Sequence, residues 1–107
     1  MLPIVQQVAS EYKASLQDHY GNELVELVLF GSHARGDYHE ESDLDFAVVL
    51  QNPDTRPATE IAETSPIDSR LSLKYGLIVS PLYTSFQKKE TSMQGVYQEI
   101  RKDGIVI

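Results

Sequence analysis

The sequence predicts a small α/β fold, a mixed β-sheet with helices packed against it, and three observations support this. Apolar residues recur at helical spacing near the start, at Ile4, Val8, Tyr12 and Leu16, with Val5 and Ala9 beside them. Three short apolar runs, Leu24 to Phe30, Asp43 to Leu50 and Leu77 to Tyr83, are separated by helical or polar stretches. The 107 residues, 41% of them apolar, suffice for one modest core.

The elements follow in order. Gly21 ends the first helix as a C-terminal cap. Leu24 to Phe30 is apolar on both faces, which predicts a central strand. A short helical turn starts near Ser32, and Gly36 to Glu41 is a polar, acidic loop. The second strand, Asp43 to Leu50, is stopped by Asn52-Pro53. Pro57 to Tyr75 is helical but interrupted. Ser65-Pro66 has the pattern of an N-cap followed by proline at the first helical position, so a helix start or kink is expected there.

Gly76 stops that segment. The third strand follows, with Pro81 expected at an edge or a bulge. Gln87 to Lys102 is a weakly amphipathic helix carrying Met93, Val96 and Ile100, interrupted by Gly95. Gly104 closes it before Ile105-Val106-Ile107, a final strand or contact strip. No internal repeat or linker is present, so residues 1–107 are expected to form a single domain.

The chemistry concentrates in Leu29-Phe30-Gly31-Ser32-His33-Ala34-Arg35-Gly36 and, after the loop, Ser42-Asp43-Leu44-Asp45-Phe46-Ala47-Val48-Val49. On a strand, Asp43 and Asp45 share one face, with Cα atoms about 6.5 to 7 Å apart, while Leu44 and Phe46 point into a core. Two carboxylates that close repel unless a cation lies between them. Hard oxygen ligands suit Mg²⁺, which takes one or two protein carboxylates and fills its other positions with water and nucleotide phosphates. Gly31 lets the backbone approach a phosphate, and Ser32 offers a hydroxyl, an expected helix N-cap and an anion-binding helix start. The parts together point to nucleotidyl or phosphoryl transfer.

Each part has an ordinary structural reading when taken alone. A Gly-Ser after a strand is commonly a turn, a D-x-D a solvated strand edge, and Arg35 a surface charge. Their combination carries the signal. Gly31-Ser32, ten intervening residues and Asp43-x-Asp45, with Ala34-Arg35-Gly36 between and apolar strands on both sides, resemble the minimal nucleotidyltransferases of the DNA polymerase β-like superfamily. The closing segment, Tyr97 to Ile105, resembles the end of such domains, so the likeness extends over most of the chain.

That resemblance implies the nucleotidyltransferase (polymerase β-like) fold and Mg²⁺-dependent transfer of a nucleoside monophosphate, AMP from ATP, to a hydroxyl. Asp43 and Asp45 would be catalytic and hold metal; Gly31 and Ser32 would bind the nucleotide phosphates, and Arg35 would neutralise the leaving pyrophosphate. Stand-alone members are often paired with a HEPN-family protein, as antitoxins that transfer AMP to a tyrosine of the partner toxin. A HEPN protein is thus the expected partner. The other reading is a catalytically weak domain that neutralises such a partner by complex formation. Small-molecule modification is disfavoured, since related enzymes of that kind carry an extra helical domain.

The third strand departs from the superfamily pattern. A third carboxylate usually sits there, facing the D-x-D pair, but Gly76-Leu77-Ile78-Val79-Ser80-Pro81-Leu82 has no Asp or Glu. Alignment places Ser80 at that position. A hydroxyl is a poor metal ligand and no base at neutral pH. Losing a general base typically lowers the rate by about 10²- to 10⁴-fold. Asp68, the nearest downstream acid, is expected to be a capping residue.

Other polar residues have structural readings first. His33 is expected to be a solvated first-turn residue, with contact to phosphate or acceptor as the other reading. His39 belongs to the solvated loop, and His19 suits the end of the first helix. Tyr38 and Tyr83 are expected to pack in core or rim, with a nucleobase pocket as the second reading.

Composition narrows the partners. The formal net charge of −7 and the absence of any basic stripe argue against direct nucleic-acid binding. Lys88-Lys89 and Arg101-Lys102 are the only adjacent basic pairs. An acidic surface would suit a basic protein partner. With no cysteine there is no disulfide or thiolate chemistry. No long apolar segment or signal pattern occurs, so no membrane association and a cytoplasmic location are expected.

Overall fold

Leu24–Phe30 forms β1, the strand around which the sheet is laid. The computed structural model describes all residues from Met1 to Ile107. β1 pairs antiparallel with β2 (Leu44–Leu50) on one side and with the short β4 (Ile105–Val106) on the other. β3 (Val79–Ser85) adds to the far side of β2 in parallel, giving the order β3-β2-β1-β4. The central placing of β1, the mixed sheet, the final strand and the edge position of Pro81 all agree with the sequence reading. No helix is long and apolar enough to cross a membrane.

Both faces of the sheet are covered, because alternate residues of β1 and β2 are apolar on each side. Helices α1 (Pro3–Tyr20) and α3 (Pro57–Tyr75) cover one face, where Tyr12, Leu16 and Leu71 meet Leu27, Leu29, Leu44 and Phe46. The Tyr12 and Phe46 rings meet edge to face at 5.2 Å. Helix α5 (Gly95–Asp103) covers the other face, burying Tyr97 and Ile100 against Val28, Phe30, Ala47 and Val49. Burying each large apolar side chain contributes about 1.5–3 kcal/mol.

Several sequence expectations are corrected. The expected break at Ser65-Pro66 is absent, and α3 runs unbroken with Pro66 inside it. Proline cannot donate to the Ala62 carbonyl four residues back, but Ser65 Oγ donates to that carbonyl at 3.4 Å. Conversely, Gln87 to Lys102 is two helices, α4 (Phe86–Thr91) and α5. Ser92 is extended (ψ 136°), and Arg101 donates to the carbonyls of Lys89 and Ser92 at 2.6 and 2.7 Å, closing the end of α4. Met93 falls in the break and is exposed. The third strand starts two residues late, at Val79, because its parallel register with β2 begins at Leu44–Val79.

Asp68 is not a cap. It lies within α3, half-buried, near Tyr12; Tyr12 Oη and Asp68 Oδ1 are both buried without a hydrogen-bond partner. The adjacent basic pairs are largely engaged in packing: Lys89 pairs with Glu26 and Glu90, and Lys88 lies over the Tyr97 ring at 5.6 Å.

Candidate active site

Because β1 and β2 are antiparallel, the end of β1 and the start of β2 meet at one end of the sheet, with Phe30 opposite Asp45. The chain turns immediately afterwards, at Gly31 (φ 75°, ψ −156°), a conformation reserved for glycine. A Cβ there would overlap Asp45 Oδ2 and lie 3.2 Å from its Cγ. The turn leads into α2 (Ser32–Arg35), where the N–H groups of Ala34 and Arg35 donate to the Gly31 carbonyl at 3.1 and 3.0 Å. Gly31, not Ser32, therefore occupies the N-cap. Ser32 is the first helical residue, half-buried, and its side chain makes no capping bond.

β2 begins one residue later than the sequence suggested, so Asp43 precedes it and is exposed. The expected alternation is present: Leu44 and Phe46 face α1 and α3, and Asp45 is half-buried on the opposite side. Burial pushes the Asp45 carboxyl up, and the negative charges of Asp43 and Glu99 add to this; His33 and Arg35 oppose it. An under-compensated carboxylate pair of hard oxygen donors fits a hard divalent cation. No three acidic or histidine side chains converge at metal-sharing distance. In the parallel register Ser80 lies beside Asp45.

Arg35 is held at two points. Its Nε donates to Asp37 Oδ2 at 3.2 Å, and its Nη1 pairs with Glu99 of α5. Glu99 was missed in the sequence. Its signal was the phase of the closing helix: Tyr97 and Ile100 face the sheet, which leaves Glu99 on the flank that meets Arg35.

His33 is neither solvated nor free. It is buried and stacks on Tyr38 at 4.6 Å, with Nε2 3.3 Å from the Ser42 carbonyl, where the Nε2–H tautomer donates. This ties α2 to the residues entering β2. Tyr83 belongs to the core, its hydroxyl bonded to Thr64, and lines no nucleobase pocket. His39 lies in the exposed loop, where its N–H donates to Ser42 Oγ at 2.9 Å and its Nδ1 accepts from the Glu41 N–H at 3.2 Å. His19 lies 3.6 Å from Glu63.

Two clefts flank the site. One, of about 380 Å³, is lined by Glu40, Glu41, Ser42, Asp43 and Gly76–Ile78. The other, of about 390 Å³, is lined by His33, Tyr38, His39, Leu2, Glu40 and Leu77. A larger polar cleft of about 610 Å³ lies at the other end of β2, near Leu50 and Arg56, and includes none of the motif residues. Size does not mark the site here; the chemistry does.

A glycine turn packed onto one of two paired carboxylates, on a mixed sheet covered on both faces, is the architecture of a nucleotidyl-transferring domain. The chain belongs to the nucleotidyltransferase domain family, whose model matches residues 9–106. A Methanocaldococcus jannaschii protein provisionally named a protein adenylyltransferase is 32% identical over 94% of this chain and 96% of its own length. Among solved structures, a provisionally named nucleotidyltransferase from Sulfolobus solfataricus has a TM-score of 0.65 at 23% identity, covering 94% of this chain and 76% of the other. A toxin–antitoxin complex with AMP-PNP gives 0.60 at 18% identity, covering 89% and 68%. The polymerase β-like fold expected from the sequence agrees with these neighbours, and the protein is a nucleotidyltransferase enzyme by family.

Proposed function

We propose that this protein transfers a nucleoside monophosphate, AMP from ATP, to a hydroxyl of a partner protein, and that it is the antitoxin of a toxin–antitoxin pair with a HEPN-family toxin. The observation that carries the transfer reading is the Gly31 turn packed against Asp45, with Asp43 beside it, at one end of the sheet. The name of the archaeal relative and the toxin–antitoxin neighbour support the protein acceptor and the setting.

The residues divide the work as follows. Asp43 and Asp45 would hold Mg²⁺, which when bound offsets phosphate charge. Gly31 admits the backbone to the phosphates, Ser32 offers its hydroxyl and Arg35 its guanidinium to the same groups. The acceptor hydroxyl oxygen bonds to the α-phosphorus, the bond to the bridging oxygen breaks, and pyrophosphate leaves. With Ser80 beside Asp45, β3 supplies no carboxylate for the released proton, which passes to water.

The same serine favours a second reading, a catalytically weak domain that neutralises its partner by occlusion. One experiment separates them. Incubation with labelled ATP, Mg²⁺ and the co-encoded neighbour should transfer label, and Asp43→Ala with Asp45→Ala should abolish both transfer and neutralisation. Neutralisation that survives the double substitution overturns transfer in favour of occlusion.

A further inference from the structure

Arg35 ends a single helical turn and is followed by Gly36 at φ 90°, so nothing in α2 itself fixes its long side chain. Two carboxylates do. Asp37 belongs to the acidic loop, and its side chain is 62% exposed. Glu99 differs, because Tyr97 and Ile100 on either side of it are buried and anchor α5 to the sheet. Of the two, Glu99 is the rigid support. Gly31, which caps the start of α2, packs onto Asp45, so the clamp on Arg35 stands beside the carboxylate pair. No third carboxylate converges with Asp43 and Asp45, which argues for action through Arg35 and against direct metal ligation.

We propose that Glu99 is a positioning residue: fixed on α5, it holds the Arg35 guanidinium at the rim of the Asp43–Asp45 site, where it meets the nucleotide triphosphate. Pre-ordering matters because a free arginine must be immobilised whenever the nucleotide binds. This inference rests on the nucleotide-transfer reading, so its test uses binding as well as turnover.

The probe is a non-hydrolysable ATP analogue with Mg²⁺, measured by calorimetry on the full chain, with KM and kcat for label transfer alongside. Glu99→Gln should raise Kd and KM about 3- to 10-fold and leave kcat within about 2-fold. Glu99→Asp, one methylene short, should do the same, since it retains the charge but not the reach. Asp37→Asn should change Kd less than about 2-fold. In an Arg35→Gln background, Glu99→Gln should add nothing, the signature of acting through Arg35.

A wild-type Kd in both Glu99 variants, or effects that multiply in the double variant, overturns the inference while leaving transfer intact. Wild-type protein that binds the analogue but transfers no label overturns the transfer reading alone. Wild-type protein that binds no analogue overturns both.

Discussion

Gly31 packs directly onto the carboxylate of Asp45, close enough to leave no room for a Cβ between them. The contact joins the turn proposed to admit phosphate to the side chain proposed to hold metal, so neither can move alone. Gly31→Ala meets two penalties, a backbone at φ 75° and a methyl overlapping Asp45 Oδ2. Such a backbone alone costs about 1–3 kcal/mol. The expected outcome is a lowered melting temperature and at least about 100-fold slower label transfer, since small displacements of reacting groups have effects of that size. A variant with near wild-type transfer would show that the contact is dispensable.

Ser80 lies beside Asp45 in the β2–β3 register, on the strand that carries no acidic residue. Ser80→Asp places a third negative charge where Asp45 is already pushed up by burial and by its charged neighbours. Without divalent cation the variant should melt below wild type. With Mg²⁺ its melting temperature should rise more than that of wild type, because added cation then relieves the repulsion. Melting curves with and without Mg²⁺ decide this, and an equal rise in both proteins would count against a cation at this end of the sheet.

Pro66 sits inside α3 on an exposed position, where it deprives the Ala62 carbonyl of its backbone donor. Pro66→Ala restores that donor but frees the unfolded chain. The first effect is larger, so the variant should be more stable by about 1 kcal/mol, with unchanged label transfer. Chemical denaturation measures it directly, and loss of stability would mean that the helix needs its proline.

The legible parts of the sequence were those in which one local rule acted alone. Period-2 alternation placed Leu44 and Phe46 in the core and Asp45 opposite, and apolar residues on both faces made Leu24–Phe30 central. Where two local rules competed, the weaker was misread. Ser65-Pro66 carried a helix-start signal, but the apolar contacts of Ile67 and Leu71 and the substitute donor at Ser65 keep α3 whole. Gly95 reads as an interruption, yet a full break needs Arg101 to close the end of α4, a contact that skips 9 to 12 residues along the chain. The phase of α5 leaves Glu99 on its flank, but that it meets Arg35, and that His33 stacks on Tyr38, depends on how the elements pack rather than on spacing.

The Asp68 carboxyl is held above its ordinary value of 3.8 because burial outweighs the opposing effect of the nearby Tyr12 hydroxyl. A carboxyl raised on folding favours the folded state in its neutral form. That contribution is complete below 3.8 and is lost as pH rises through the folded value, so at neutral pH the ionised group opposes folding. Asp68→Asn removes the charge and supplies a donor near the unpartnered Tyr12 hydroxyl. The variant should therefore melt above wild type at neutral pH, and the gap should close as pH falls toward 3.8. Melting temperatures across that window test both the sign and the cause. A gap independent of pH would trace the gain to the new hydrogen bond, and a variant less stable at neutral pH would show that the ionised carboxylate is a net support of the α1–α3 contact.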